Sequence, residues 1–269
     1  MGKVGLDITK AGNTLGLIEK KISLALKGGK DRLDCLNVGG AHFFKPGWGV
    51  LDYTGWKYRF LWGAVDWQHN LASVDRFPLR DNSIRLLYSS HCIEHIPEEF
   101  VSHNFAEFFR CMKPDGIIHI TIPDFDQGYA AIKKHDDEFW RVMRNYPDDE
   151  RNFVHLFVAG YWAARLSPEE IRRKLDTLSK SEIETWATEL TKAVPFEWTK
   201  THQDHVSWWN PAKLRGYLEA AGFRDVRQIE AGQSRTPEMR GEGLPWGFDN
   251  REENGSMVLE AVVPAVKGG

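Results

Sequence analysis

The chain has 269 residues, of which 42% are hydrophobic and 27% charged, with a formal net charge of −3 at pH 7. That is an ordinary globular composition, long for one small domain and short for two full ones, so one core domain with embellishments is expected. The mild acidity supplies no electrostatic reason for a nucleic-acid partner, and no apolar run is long enough to span a bilayer.

The three cysteines, Cys35, Cys92 and Cys111, are scattered and odd in number, so they form neither a disulfide framework nor a zinc pattern. Met1–Lys10 lacks the basic-then-apolar layout of a signal peptide. A cytoplasmic location is the expectation. The 11 tryptophans are individually core or lid side chains. Together they hint at a flat or ring-shaped ligand, because aromatic faces bury rings and cations well.

In chain order, residues 13–27 carry Leu15, Ile18, Ile22 and Leu26 at helical spacing, which predicts an amphipathic helix covering a sheet. Residues 33–38 form a short apolar strand ending in Gly39-Gly40, and 49–53 a second strand ending on an acid. Residues 54–69 are irregular and aromatic-rich. Phe77–Ser83 is turn chemistry, followed by a strand at Ile84–Ser90. From Glu98 to Met112 a helix presents Phe100, Phe105, Phe108, Phe109 and Met112 as its buried stripe, and Lys113-Pro114-Asp115-Gly116 breaks it. A buried strand follows at Ile117–Ile122.

Alternating strands and helices from 33 to 122 predict a parallel sheet with crossover helices. Residues 125–200 are helical in pattern and rich in Glu, Lys and Arg, which predicts an inserted helical lid. Asn210, Pro211 and Gly222 frame a further helix as N-cap, first residue and stop. Strands at 225–230 and 256–263 finish the chain. The domain expectation is a core of 1–124 and 201–269, with 125–200 as the insertion.

The chemistry-bearing residues gather at the strand ends. Gly39-Gly40 after a buried strand lets a ligand approach the backbone at the carboxyl edge, and Asp52 at the end of the next strand can take both hydroxyls of a ribose. Phe77-Pro78-Leu79-Arg80-Asp81-Asn82-Ser83 follows, then Ser89-Ser90-His91-Cys92-Ile93-Glu94-His95, then Lys113-Pro114-Asp115-Gly116 before the fifth strand. Taken in this order, the run from 36 to 124 resembles the class I S-adenosylmethionine-dependent methyltransferases. Ala220-Ala221-Gly222-Phe223 is similar to the turn that family carries before its sixth strand. Ser234, Pro237-Glu238 and Met257-Val258-Leu259-Glu260-Ala261 resemble the branch associated with surface-polysaccharide and glycan assembly.

The resemblance implies a Rossmann-like α/β fold, a mostly parallel seven-stranded sheet with flanking helices. It implies S-adenosylmethionine as cofactor, held by Asn37, Val38, Gly39 and Gly40 at the glycine turn, by Asp52 and Tyr53, by Asn70 and Leu71 near the adenine, and by Ser89, Ser90 and His91 near the methyl group. Asn37 stands where the family usually has an acid. Asn70 also replaces an acid, and its carbonyl oxygen can accept the same hydrogen bond. Arg85 replaces an acid common after the turn.

A sulfonium-bound methyl group is already activated, so the protein must orient a nucleophile, exclude water and remove a proton. His205 is the expected base, with His202 the alternative and Asp124 orienting it or the acceptor; His91 supports the methyl site and is the next candidate. Trp198 and Trp208-Trp209 flank the His202–His205 cluster as aromatic walls. Glu94 and His95 are expected to brace the helix that follows them. No metal is expected: an octahedral set of Asp124, Asp126, His202 and His205 ranks below a metal-free site.

The leading functional expectation is O-methylation of a sugar or glycan hydroxyl. N- or C-methylation of a small metabolite, or an inactive cofactor-binding scaffold, are the alternatives. The expected partner is a small-molecule or glycan acceptor, with no nucleic acid and no membrane span, and a homodimer is allowed.

Overall fold

The computed structural model describes residues 17–22, 25–26, 29–40, 45–53, 65–141, 144–201, 203–230, 232–240 and 255–267. Seven strands form one sheet: β1 (Cys35–Val38), β2 (Trp48–Asp52), β3 (Trp67–Gln68), β4 (Ile84–Ser90), β5 (Met112–Pro123), β6 (Arg224–Ile229) and β7 (Ser256–Val262). Their order is β3-β2-β1-β4-β5-β7-β6. Neighbours from β3 to β5 run parallel, whereas β7 is antiparallel to both β5 and β6. This is a Rossmann-like α/β sheet, mostly parallel and seven-stranded. Sequence order reverses between β1 and β4, so the strands on either side lead outward in opposite directions and leave a crevice at their carboxyl ends.

The local chemistry explains most boundaries. Helix α1 (Glu98–Cys111) buries Phe105 and Phe108 completely against the sheet, with Phe100 and Phe109 packed at the margin. The Lys113–Gly116 segment ends that helix but opens β5 instead of forming a separate turn, with a register shift opposite Ile84–Leu86 and a left-handed Asp115. β3 lies within the stretch expected to be irregular, since two residues are too few to show a period.

In the N-terminal helix only 17–22 and 25–26 are described, so Leu15 lies outside them, and the rest of the expected apolar stripe is not buried. Ile18, Ile22 and Leu26 are exposed, while Lys20 is buried and pairs with Asp66 at 2.7 Å. A buried ion pair, not an apolar stripe, ties this segment to the rest.

Between β5 and β6 the chain is helical: α2 (Phe125–Lys134), α3 (Asp149–Phe157), α4 (Pro168–Thr177) and α5 (Lys180–Lys192) are the longer elements, followed after residue 201 by α6 (Pro211–Ala220). Asp124, Asp148, Ser167 and Ser179 cap α2 to α5 with side-chain oxygens, satisfying donors the first turn leaves unpaired. Asn210 caps α6 through the Lys213 amide, and Gly222 at φ 109 ends it where a side chain would strike Phe109.

Among the described residues three apolar clusters result, the smallest of them Cys35, Trp48, Val50, Leu86, Tyr88 and Met239; the two larger ones concern the site. One lies on the sheet and includes Leu36, Leu87, Phe105, Phe108, Trp209 and Phe223. The other lies among the inserted helices and includes Phe125, Trp140, Phe153, Phe157, Ile183 and Trp208. The chain enters and leaves the helical region at one place, where the Phe125 amide donates to the Trp209 carbonyl at 2.8 Å and Asn210 Nδ2 to Asp126 at 3.2 Å.

A buried polar set crosses the sheet. Glu260 on β7 accepts from Ser234 Oγ at 2.5 Å and the Arg235 amide at 3.0 Å, and lies 2.9 Å from His119 Nδ1 on β5. Burial alone would raise its carboxyl, but the hydrogen bonds from His119, Ser234 and Arg235 outweigh this and hold it below the ordinary glutamate value. A lowered folded pKa contributes stability above the unfolded value, about 4.3, that is lost as pH falls through the folded one. Glu260→Gln should therefore cost about 1.5–3 kcal/mol near neutrality, and the gap to wild type should narrow below pH ~4.3 in urea unfolding followed by circular dichroism. A gap independent of pH would show that the carboxylate charge contributes nothing.

Candidate active site

The ends of β1, β2 and β4 lie side by side, with Val38 paired to Leu51 on one side and to Ser89 on the other. Beyond β1 the chain turns at Gly39, whose amide donates to the Leu51 carbonyl at 3.0 Å. Its φ of 78 is left-handed, and a side chain there would collide with Cys92. A side chain on Gly40 would likewise strike Asn37 Oδ1. Asn37 is 2% exposed and that oxygen has no hydrogen-bond partner. A bare acceptor buried under a glycine turn suits the ammonium group of an amino-acid ligand.

Asp52 is partly exposed at the end of β2, with Oδ1 accepting the Tyr53 amide at 2.6 Å. Tyr53 stands edge-to-face against Trp198, ring centres 4.6 Å apart. Asn70 shapes the next loop, its Oδ1 accepting from the Ala72 amide at 3.0 Å, so the oxygen expected to meet an adenine is already engaged locally. Leu71 packs in the sheet core, and its carbonyl accepts from Asn104. Ser89 is fully buried, its hydroxyl donating to the Val38 carbonyl at 3.3 Å, and Ser90 borders the edge. Asn37, Gly39, Gly40, Asp52, Ser90 and His91 thus share one rim, and these residues can hold S-adenosylmethionine.

After β4, His91 takes a left-handed φ of 46 and its amide donates to the Thr121 carbonyl on β5. Backbone strain at a non-glycine residue persists only where the surroundings enforce it. A short helical turn, Ile93–His95, then buries Glu94 to 1% exposure, with Oε1 3.1 Å from His91 Nδ1. Burial would raise the Glu94 carboxyl, but the His91 hydrogen bond and the neighbouring His91, His95 and His205 hold it at about 2. It is ionised throughout the neutral range. Glu94 and His95 do not cap α1, which starts after Pro97 without a side-chain cap. Neither residue was expected at the site, although an acid inside the apolar run Cys92-Ile93-Glu94-His95-Ile96 is a usable signal in the sequence.

The returning segment closes over this turn. The Val206 and Ser207 amides donate to the Glu94 carbonyl at 2.8 and 3.1 Å, bringing His205 beside His95 with ring centres 4.9 Å apart. His205 retains partial exposure, yet burial pushes its ring down to about 4, against the opposing pull of Glu94. His202 lies outside the described residues. Asp124 is not joined to His205: its two oxygens accept from the Asp126 amide and Gln127 Nε2, so it serves as the cap of α2, and burial raises its carboxyl. Asp126 pairs with Lys180 at 2.9 Å. Among the described residues of the octahedral set considered from sequence, Asp124 and Asp126 are not brought together with His205. Trp208 and Trp209 are buried struts, hydrogen-bonded to Thr188 and Ser207, and not the aromatic walls expected.

Residues 60–120 match the family model described as a methyltransferase domain. That stretch, from before β3 to within β5, is what the chain shares with methyltransferase domains, which use S-adenosylmethionine as methyl donor.

Similar solved structures include a putative methyltransferase in complex with a methyltransferase activator from Haloferax volcanii, at 12% identity and TM-score 0.44, covering 95% of this chain and 93% of that one. A methyltransferase from Aquifex aeolicus is 14% identical, with TM-score 0.39 and coverage of 93% and 92%. A possible histamine N-methyltransferase from Thermotoga maritima is 12% identical, with TM-score 0.41 and coverage of 92% and 91%. A search of curated proteins finds no match.

Asp52→Ala should weaken S-adenosylmethionine binding at least ~10-fold by calorimetry, since loss of one charged hydrogen bond already costs about that much. The fold should survive, because Asp52 ends its strand at the rim. Unchanged affinity would place the ribose elsewhere.

Proposed function

We propose that this protein is an O-methyltransferase acting on the hydroxyl of a small-molecule or glycan acceptor, with His91 as the general base. The carrying observation is the His91–Glu94 pair: a buried, ionised carboxylate hydrogen-bonded to one ring nitrogen of a histidine at the carboxyl edge of β4. Bound S-adenosylmethionine supplies an activated methyl group on a sulfonium. The protein's own work is to orient the acceptor and take its proton.

Glu94 accepts from Nδ1–H of His91, which fixes the tautomer with the lone pair on Nε2 and stabilises the imidazolium formed when the acceptor proton arrives. Nε2 lies 3.5 Å from Ser256 Oγ, on the side where β7 meets the edge. His205 is disfavoured as the base because burial pushes its ring down to about 4. Tyr53 and Trp198 beside Asp52 offer aromatic surface for a ring-shaped acceptor. The glycan branch rests on the resemblance of the tail. Within it, Ser234 and Glu260 serve the buried sheet network and Glu238 pairs with Arg85 at 3.1 Å, so those residues stabilise the fold and do not report on the acceptor.

Residues 125–200 form a cap on the acceptor side in this reading, docked through the 205–209 segment onto the Glu94 turn. The cap excludes water from a methyl donor that water would otherwise consume.

His91→Asn should leave cofactor affinity nearly intact and lower kcat by about 10²-fold or more on a hydroxyl acceptor, measured as S-adenosylhomocysteine formed against a glycoside panel. Near-normal turnover in that variant, or turnover with amine acceptors alone, would overturn the assignment. Limited proteolysis should find 130–200 protected when cofactor and acceptor are both present. Equal cleavage with and without them would make the segment a peripheral interaction unit.

A further inference from the structure

Glu94, His95 and His205 bring one ligand-capable atom each to within 4.8 Å of one another. The hydrogen bonds around them decide which nitrogen of each ring is left with its lone pair. His95 Nδ1 lies 3.0 Å from the Asp204 carbonyl and His205 Nδ1 2.7 Å from the Leu156 carbonyl. A carbonyl oxygen only accepts, so both Nδ1 atoms carry the hydrogen and both neutral rings carry their lone pair on Nε2. Glu94 uses Oε1 for His91, while its Oε2 is buried without any hydrogen-bond partner. Two imidazole lone pairs and one ionised carboxylate oxygen therefore converge with no protein donor among them. Like acceptors held together in a buried place are costly unless a cation joins them.

We infer that Glu94, His95 and His205 form a binding site for a divalent transition-metal ion of the zinc class. Two imidazoles and one carboxylate are the donor set such an ion favours, whereas magnesium and calcium take oxygen ligands. The span of the three atoms closes by small side-chain rotations onto bonds of about 2.0–2.2 Å. Each histidine already donates its Nδ1–H to a backbone carbonyl, and the other carboxylate oxygen accepts from His91, which is how outer groups hold metal ligands in orientation. The main-chain bonds from Val206 and Ser207 to the Glu94 carbonyl fix the two chain segments relative to each other.

Three protein ligands leave a coordination position open. On the reading that this edge methylates a hydroxyl, that position takes the acceptor oxygen and lowers its pKa, next to the base that removes the proton. The binding site itself does not depend on that reading.

The test uses full-length protein stripped with chelator and titrated with Co²⁺, whose visible absorption reports low-coordinate nitrogen and oxygen ligation without any turnover. One saturable equivalent is expected, displaced by Zn²⁺, with Zn²⁺ also raising the melting temperature. His205→Gln and, independently, His95→Gln should weaken Co²⁺ binding by about tenfold or more while circular dichroism shows the native spectrum; the exposed His103→Gln should not. If one variant fails to fold, the other gives the same comparison. No saturable band at millimolar Co²⁺, or undiminished binding in a folded His95 or His205 variant, would overturn the site. Binding without methyl transfer to any hydroxyl would retain the site and overturn only the function proposed above.

Discussion

Glu94 is an ionised carboxylate enclosed by protein, and a charge in that position must be matched by donors or cations drawn from several parts of the chain. His91 supplies one match from the end of β4. The turn that carries Glu94 is held by main-chain amides of Val206 and Ser207, which return from the far side of the helical region. His95 and His205 lie against the carboxylate and against each other. Satisfying this one group therefore couples the sheet edge, the short turn and the returning segment, and it does so where the sheet order reverses.

The topology explains why chemistry gathers there. Parallel strands β1, β2 and β4 deliver Gly39, Asp52 and Ser90–His91 to a single rim, because parallel neighbours end on the same side. The sheet core and the core of the inserted helices adjoin beyond the end of β5, with Trp208 in one and its neighbour Trp209 in the other. Adjacent indoles pointing into different cores anchor the helical region at its exit, while the Phe125–Trp209 and Asp126–Asn210 contacts anchor it at its entry.

The carboxyl-terminal motif residues behave differently. Ser234, Glu260 and His119 form a buried network across β5 and β7, and Arg85 finds Glu238 as well as Asp34. A sequence pattern can mark how an antiparallel strand is held in a parallel sheet as readily as it marks a substrate. The arginine that departs from the family's acid is thus accommodated by two carboxylates.

Local pattern determined the elements: β4 and α6 fall at the expected residues because alternating apolar residues, an N-cap with proline after it and a terminal glycine act within a few residues of themselves. The glycine turn and Asp52 were legible for the same reason, since a strand end and its next residue are fixed locally. Tertiary structure decided the rest. Lys20 and not the Ile18–Ile22 stripe is buried, because its partner Asp66 is distant in sequence. Asp124 became a cap, and His205 joined Glu94 and His95 instead, because those outcomes depend on which backbone groups a folded neighbour leaves unpaired. Spacing along a chain carries helix and strand periods; it carries no record of which side chains, more than a hundred residues apart, must share one buried charge.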